Sequence, residues 1–255
     1  MQIDAFAATD VGPVREQNED GWLVDVDGGV FAVADGMGGH AAGEEASRIA
    51  LETVQDIMLG GIDPDETRVV GVDEDEDTIA ATKERLRYCM NQASIRIRRA
   101  VEDEPAWTGM GTTMVMIVVE GEHAHIAHVG DSRAYLFRTD RLQRLTRDHT
   151  VVQQEVDAGR LTPELARTVP HKNILTRSVG YHGPVEPDVS QRPIQEGDVF
   201  LLCSDGVTDP LDDDAIAEIC RSTHPEDLAQ TLVDRGIEAG GDDNTTAVVM
   251  LIRGD

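Results

Sequence analysis

Lysine is almost missing from this chain. Lys83 and Lys172 are the only two, and the other twenty of its 22 basic residues are arginine. Aromatic residues are scarce at 4%, so a core drawn from the 40% hydrophobic content must be mainly aliphatic. Cysteine is limited to Cys89, Cys203 and Cys220, an odd number without C-x-x-C spacing. That argues against a disulfide frame or a structural zinc site and for a reducing compartment. No apolar run approaches the roughly 18–20 residues of a membrane span. The N-terminus, MQIDAFAATD, has no basic stretch leading into an apolar one, so no signal peptide is expected. These absences together lead to a cytoplasmic protein with no membrane partner.

Negative charge is what the chain has in excess. Over 255 residues, 49 acidic residues against 22 basic ones give a net charge of −27. Nucleic acid and anionic membrane surfaces would be repelled and are not expected as partners. Self-repulsion of this size is relieved by salt, which fits adaptation to a saline cytoplasm. Arginine-for-lysine codon bias in a GC-rich genome is the alternative.

The hydrophobic pattern predicts strands at Ile3–Thr9, Trp22–Val26 and Val30–Ala34, then a helix from about Ala42 to Met58. Residues 60–77 carry eight acids and one arginine among Gly and Pro, and read as a solvated acidic loop. A second helix is predicted over Thr78–Val101. Strands follow at Thr113–Val119, His123–Val129, Ala134–Arg138 and Gln143–Thr146, with short links suited to antiparallel hairpins. Short helical pieces are expected from His149 to Gly180, and then a strand at Val199–Cys203. Helices at Asp213–Arg221 and Pro225–Ala239 and a last strand at Thr246–Ile252 complete the chain. Strands come in runs rather than alternating with helices, so the expectation is an α+β fold: two packed antiparallel β-sheets flanked by helices.

Among dozens of acids, the informative ones stand where an apolar strand runs into a glycine or polar turn. They are Asp35 in VFAVADGMGG, Asp131 in IAHVGDS, Asp205 in VFLLCSDG, and Asp242 with Asp243 before TTAVVM. Carboxylates converging at the rim of a sheet repel one another unless a cation neutralises them. Hard oxygen donors without sulfur suit Mg2+ or Mn2+ rather than zinc. His123, His125 and His128 make a poor zinc site, because alternation sends the third to the opposite face. The stretch GMGGHA matches the degenerate dinucleotide pattern, but Asp35 would face the pyrophosphate and no acid closes a second strand about twenty residues on. No cysteine is followed by the C-x5-R phosphatase pattern, and neither a G-x-S-x-G elbow nor a Walker loop is present. A nucleophile made from water by metal remains.

An ordered set of motifs narrows this. Arg15–Asp20 reads REQNED, Asp35–His40 DGMGGH, Gly111–Thr113 GTT, Gly130–Arg133 GDSR, Ser204–Asp209 SDGVTD and Asp242–Thr246 DDNTT. The set resembles the metal-dependent serine/threonine protein phosphatases of the protein phosphatase 2C type, in their bacterial branch, over nearly the whole chain. The resemblance implies one domain over 1–255, with metals at one end of the double sheet and a flap subdomain at about 146–182. It implies that Asp35 bridges two core Mn2+ or Mg2+ ions. The carbonyl of Gly36 with Glu19 and Asp20 would serve one ion, and Asp205 with Asp243 the other. Asp131, with Asp205, would hold a third, weaker ion, and Arg15 would grip the substrate phosphate with its planar fork. Arg15, Asp35 and Asp205 are thus the expected catalytic residues.

The implied reaction is direct hydrolysis of phosphoserine or phosphothreonine in proteins, without a phosphoenzyme. Serine/threonine kinases and their targets are the implied partners, and the chain is expected to act as a monomer. One departure stands out: Met37 follows the Asp-Gly pair where eukaryotic members often carry His, and the nearest histidine is His40, three residues on. The alternative reading is a catalytically weak, phosphatase-like regulatory or phosphoprotein-binding domain, against which the full complement of acids counts.

Overall fold

The computed structural model describes residues 1–39, 41–60, 74–181 and 183–254. Two antiparallel sheets stack face to face, with helices on both outer surfaces. One sheet joins β1 (Gln2–Asp10), β11 (Thr245–Arg253), β10 (Val199–Cys203), β7 (Arg133–Arg138) and β8 (Arg141–Arg144), in that order. The other runs β2 (Asp20–Asp25), β3 (Val30–Met37), β5 (Met114–Glu120), β6 (His123–Val129) and β9 (Asp188–Pro193), with the short β4 (Gly111–Thr112) on β3. Helices α1 (Ala41–Met58) and α2 (Glu74–Asp103) cover the second sheet. Helices α6 (Asp213–Ser222) and α7 (Pro225–Glu238) cover the first. The expected α+β double sheet is what the chain forms.

Alternation in the strands sorts the core into three layers. Phe31, Val33, Ile117, Ile126, Phe200, Val248 and Met250 point inward and interdigitate between the sheets. Their chain neighbours Ala32, Met116 and Ala127 face α1 and α2, while Leu201, Cys203 and Val249 face α6 and α7. Phe31 and Phe200 are fully buried in a layer otherwise almost wholly aliphatic. Truncating either to Ala costs about 3–5 kcal/mol.

Several boundaries differ from the expectation. The acidic loop predicted at 60–77 lies mostly outside the described residues, and its last four, Glu74–Asp77, already belong to α2. Strand β3 does not end at Asp35 but continues through Gly36 to Met37, since its partner changes there from β5 to β4. Strand β9, DVSQRP, was not expected. It pairs with β6 along the sheet edge and buries little side chain, so it lacks an apolar alternation. Between β8 and β9 the chain makes an excursion bearing α3 (Val151–Asp157) and α4 (Pro163–Ala166). Its base is tied by bridges between Thr150 and Leu175 and between Thr112 and Val179. No helix among the described residues is long and apolar enough to cross a membrane.

Candidate metal centre

The β2–β3 register sets Asp20 directly opposite Asp35. Like charges in that relation destabilise a sheet, yet both side chains are drawn into one end of the sandwich. Three threonine contacts hold the Asp35 backbone. Its N–H donates to Thr113 Oγ1 (3.1 Å), and its carbonyl accepts from the Thr113 N–H (2.8 Å) and from Thr112 Oγ1 (2.8 Å). Burial, reinforced by the charges of Asp20, Asp205, Asp131 and Asp243, pushes the Asp35 carboxyl well above its ordinary range. Asp20 is pushed up to about 6 by burial and by the charges of Asp243 and Glu19, against hydrogen bonds from Thr246 and Ser204.

Asp205 opens the short helix α5 (Asp205–Thr208), straight after β10. Burial and the charges of Asp131, Asp209, Asp243 and Asp20 push its carboxyl well up. Asp131 follows β6 and is itself buried. Burial, with Asp148 and Asp209 nearby, pushes it up to about 7, although its own backbone N–H and Arg133 work the other way. Asp243 Oδ2 accepts from Arg15 Nη2 at 2.7 Å, and its Oδ1 accepts from the Asn244 N–H at 2.8 Å. The charge of Arg15 also acts on Glu19 and Asp35.

Glu19 is anchored through its backbone. Its N–H donates to Asn244 Oδ1 (2.8 Å), and its carbonyl accepts from the Gly36 N–H (3.1 Å) and Ser47 Oγ (2.7 Å). The glycine after each central aspartate now has a reason. A Cβ on Gly36 would lie 2.1 Å from the Gly43 carbonyl oxygen, and one on Gly206 would lie 2.1 Å from that of Asn244. Only glycine allows the backbone to approach so closely.

The predicted set therefore meets. Asp20, Asp35, Asp131, Asp205 and Asp243 share one electrostatic neighbourhood, with Glu19, Gly36 and Arg15 at its margin. Met37 lies in β3, and His40 falls outside the described residues. Supporting residues with no role assigned from sequence are Thr112, Thr113, Ser204 and Asn244, inside the motifs around the aspartates, and Asn173, which opens the NILTRSVG stretch of the expected flap. Asn173 Nδ2 donates to Asp205 Oδ2 (3.1 Å) and Asp209 Oδ2 (3.0 Å). A cleft of about 520 Å³ opens beside Asp131 and Asp205, between the sandwich and the 145–187 excursion.

One atom tests whether this donor set fits a cation. Ser204 Oγ donates to Asp20 Oδ2 at 2.7 Å, but Asp20 Oδ1 is buried without a hydrogen-bond partner. Leaving such an oxygen unsatisfied costs about 1–3 kcal/mol. A hard divalent ion among these carboxylates would satisfy it and remove the repulsion. The donors are oxygens only, which suits Mn2+ or Mg2+.

A second group, His128, His149 and Asp188, brings three ligand atoms within 4.8 Å of one another. Its geometry opposes metal binding. The two rings are stacked at 4.6 Å, only 21° from parallel, so their in-plane lone pairs do not converge. His149 Nδ1 accepts from the Gly130 N–H (3.2 Å), which leaves the proton of the neutral ring on Nε2. Asp188 is already held by Arg177 at 2.7 Å. His123 and His125 lie on the other face of β6 from His128, as alternation predicts.

Comparison with known proteins agrees with the geometry. Residues 14–245 match the family described as protein phosphatase 2C. The chain is 38% identical over 243 residues to the serine/threonine protein phosphatase PstP of Mycobacterium tuberculosis, covering 95% of this chain and 44% of that one. It thus spans under half the length of this mycobacterial relative. It is 37% identical over 246 residues to the protein phosphatase PhpP of Streptococcus pneumoniae, covering 95% and 94%. The crystal structure of the PstP catalytic domain in complex with two manganese ions superposes with a TM-score of 0.83 at 34% identity, covering 99% of both chains.

Proposed function

The chain belongs to the protein phosphatase 2C family, and on that footing we propose that it hydrolyses phosphoserine and phosphothreonine in proteins at a two-ion Mn2+ or Mg2+ centre. The observation that carries this reading is the buried, partnerless Oδ1 of Asp20 in the electrostatic neighbourhood of Asp35, Asp205 and Asp243. Asp35 would bridge the two ions, with Asp20, Glu19 and the Gly36 carbonyl on one side and Asp205 and Asp243 on the other. Asp131 and Asp205 would hold a third, weaker ion beside the cleft. When bound, the ions supply a nucleophile from water at neutral pH and offset charge on the phosphoryl oxygens.

The chain's own residues do the rest. Arg15, half exposed and tethered to Asp243, can present its remaining donors to the phosphate as a planar fork. Thr112 and Thr113 fix the Asp35 backbone, and Ser204 orients Asp20, so the carboxylates are set before substrate arrives. Met37 cannot move a proton, so no side chain next to the Asp-Gly pair acts as general acid. The three cysteines are free and buried, and burial, as the largest effect, pushes their thiols up to about 12, so none supplies a thiolate.

We read residues 1–255 as one domain with a flap over about 146–182, working as a monomer in a cytoplasm on targets of serine/threonine kinases. The surface acidity supports a saline setting. Hydrolysis of a phosphothreonine peptide should vanish in excess chelator and return with Mn2+; full turnover after exhaustive dialysis against chelator would overturn the reading. Arg15→Lys should raise KM and lower kcat/KM about tenfold while Mn2+ binding persists, because a point charge cannot reproduce the bidentate contact.

A further inference from the structure

The face of β3 that carries Asp35 continues past the metal centre. Side chains two apart on a strand share a face, so Met37 lies on the side of Asp35. Gly111 stands opposite Met37 in β4 and has no side chain to part its neighbours. A Cβ there would lie 2.9 Å from Met37 Cε and 3.3 Å from Tyr181 Cβ, so these two side chains crowd the space above the glycine. Thr112 and Val179 exchange both backbone hydrogen bonds, at 2.9 and 2.8 Å, which lays residues 179–181 beside β4 as one more rung. With neighbouring strands about 4.8 Å apart, Tyr181 stands roughly 10 Å from the β3 backbone.

Tyr181, half exposed, also lines a pocket of about 290 Å³, together with Leu175, Arg177, Pro184, Val185 and Glu186. That is below the roughly 300–1,000 Å³ of small-molecule sites and leaves room for one large side chain. Arg177 is already engaged, because its Nη1 donates to Asp188 Oδ1 (2.7 Å) and to the Glu186 carbonyl (3.1 Å). What it offers the pocket is mainly its aliphatic stem. Glu186 is exposed there and opposes an acidic guest. Helix α2 holds the walls from outside. Asn91 Oδ1 accepts from the Val185 N–H (3.1 Å), Ser94 Oγ accepts from the Gly180 N–H (3.2 Å), and Arg98 donates to the Gly183 carbonyl. The pocket is therefore formed before any ligand arrives, which lowers the cost of filling it.

We propose that this pocket is a substrate subsite for a large apolar side chain, Leu, Met or Phe, two or three residues from the phosphoresidue, and that Tyr181 sets the preference. This rests on the phosphatase reading above. An extended peptide rises about 3.3 Å per residue, so a chain with its phosphate at the metal centre reaches Tyr181 within that span. Met37, which cannot move a proton, then has a use. Its unbranched thioether makes an adaptable apolar floor between the phosphate and the pocket. On a protein of net charge −27, an apolar contact also holds a phosphopeptide without adding to the repulsion.

The test is a panel of phosphothreonine peptides with Leu, Ala or Glu placed in turn at each of three positions on either side of the phosphoresidue, hydrolysed in saturating Mn2+. Binding of the matching non-hydrolysable phosphonate peptides, followed by fluorescence anisotropy, gives a readout independent of turnover. One position two or three residues away should favour Leu over Ala about tenfold in kcat/KM and in Kd, the usual worth of a filled apolar pocket, and should disfavour Glu. Tyr181→Ala should reduce that preference to about twofold, mainly through KM, while hydrolysis of a small aryl phosphate stays within about twofold of the unaltered protein. Tyr181→Phe should keep the preference, since the ring and not the hydroxyl lines the pocket. Equal handling of Leu and Ala at every position, a preference for Glu, or a Leu preference that survives Tyr181→Ala would overturn the subsite and leave the phosphatase reading standing. Failure of the unaltered protein to hydrolyse any peptide or the aryl phosphate with Mn2+ would overturn both.

Discussion

Two groups of sheltered carboxylates lie side by side in this molecule, and they are solved in opposite ways. Burial alone would push Asp148 up, but the charge and hydrogen bonds of Arg133 outweigh it with help from Arg144, and the carboxyl sits below its ordinary value. Arg133 reaches both oxygens of Asp148, with Nη2 at 2.7 Å from Oδ2, and Arg144 closes the other side. The Arg138–Asp198 pair, at 2.5 Å, repeats the arrangement elsewhere. Asp20, Asp35, Asp131 and Asp205 are sheltered too, yet burial pushes all four upward and the charges of neighbouring carboxylates add to it, with no arginine strong enough to reverse the shift. The residue type is the same, and only the source of the compensating charge differs. One group is neutralised by the chain, and the other is left for an ion from outside.

The comparison can be broken most directly by removing one carboxylate from each group. Asp35→Asn should lower Mn2+-dependent hydrolysis of a phosphopeptide at least about a thousandfold, or roughly 4 kcal/mol of barrier. The chelator-treated variant should be as stable as the unaltered protein or more so, since a repelled charge has gone. A fall in its urea midpoint would show that the Asp35 carboxylate is stabilised by its surroundings even without an ion. Asp148→Asn should do the reverse: it leaves two arginines without their partner and should cost about 3–5 kcal/mol in urea unfolding.

Proton linkage sharpens the same contrast. Asp20 and Asp131, pushed up to about 6 and about 7, hold protons in the metal-free fold that the unfolded chain has already released. Their contribution is intact below about pH 4 and is lost as pH rises through 6 to 7. Mn2+ removes that penalty by pairing the ionised forms, so the Tm gain from Mn2+ should be several degrees larger at pH 8 than at pH 5. Comparing samples with and without the ion cancels His149, which burial and the charges of His128 and Arg177 push down to about 4. An equal gain at both pH values would show that the carboxylates are ionised regardless of metal.

The smallest effect concerns the surface. Raising KCl from about 0.1 M to 1 M shortens the Debye length from roughly 10 Å to 3 Å. With a net charge of −27, that should raise Tm by about 1–3 °C and increase kcat/KM for acidic phosphopeptides more than for neutral aryl phosphates. The sheltered Asp148 group should not respond. A steady fall of both quantities with salt would remove the saline reading.

Much of this was readable before any coordinates. Strand Val199–Cys203 begins and ends where its apolar run does, because a strand packed on both faces must be apolar throughout. Strand β9 was not readable, because an edge strand exposes its side chains and its stability comes from backbone pairing with β6. The central acids announced themselves through the glycines behind them, and the close backbone approaches at Gly36 and Gly206 explain that coincidence. Their partners did not. Ser204 meets Asp20 across 184 residues of chain, and Asn173 meets Asp205 from an excursion whose sequence carries no strong period.

Composition and local spacing thus determined the layers, the family likeness and which carboxylates matter, since burial and backbone approach leave a mark on each residue's own neighbours in the chain. Only the tertiary structure decided which of the many acids are compensated by arginine and which are left facing one another. Charge balance is settled between atoms a few ångströms apart, and those atoms come from segments that sequence order keeps distant.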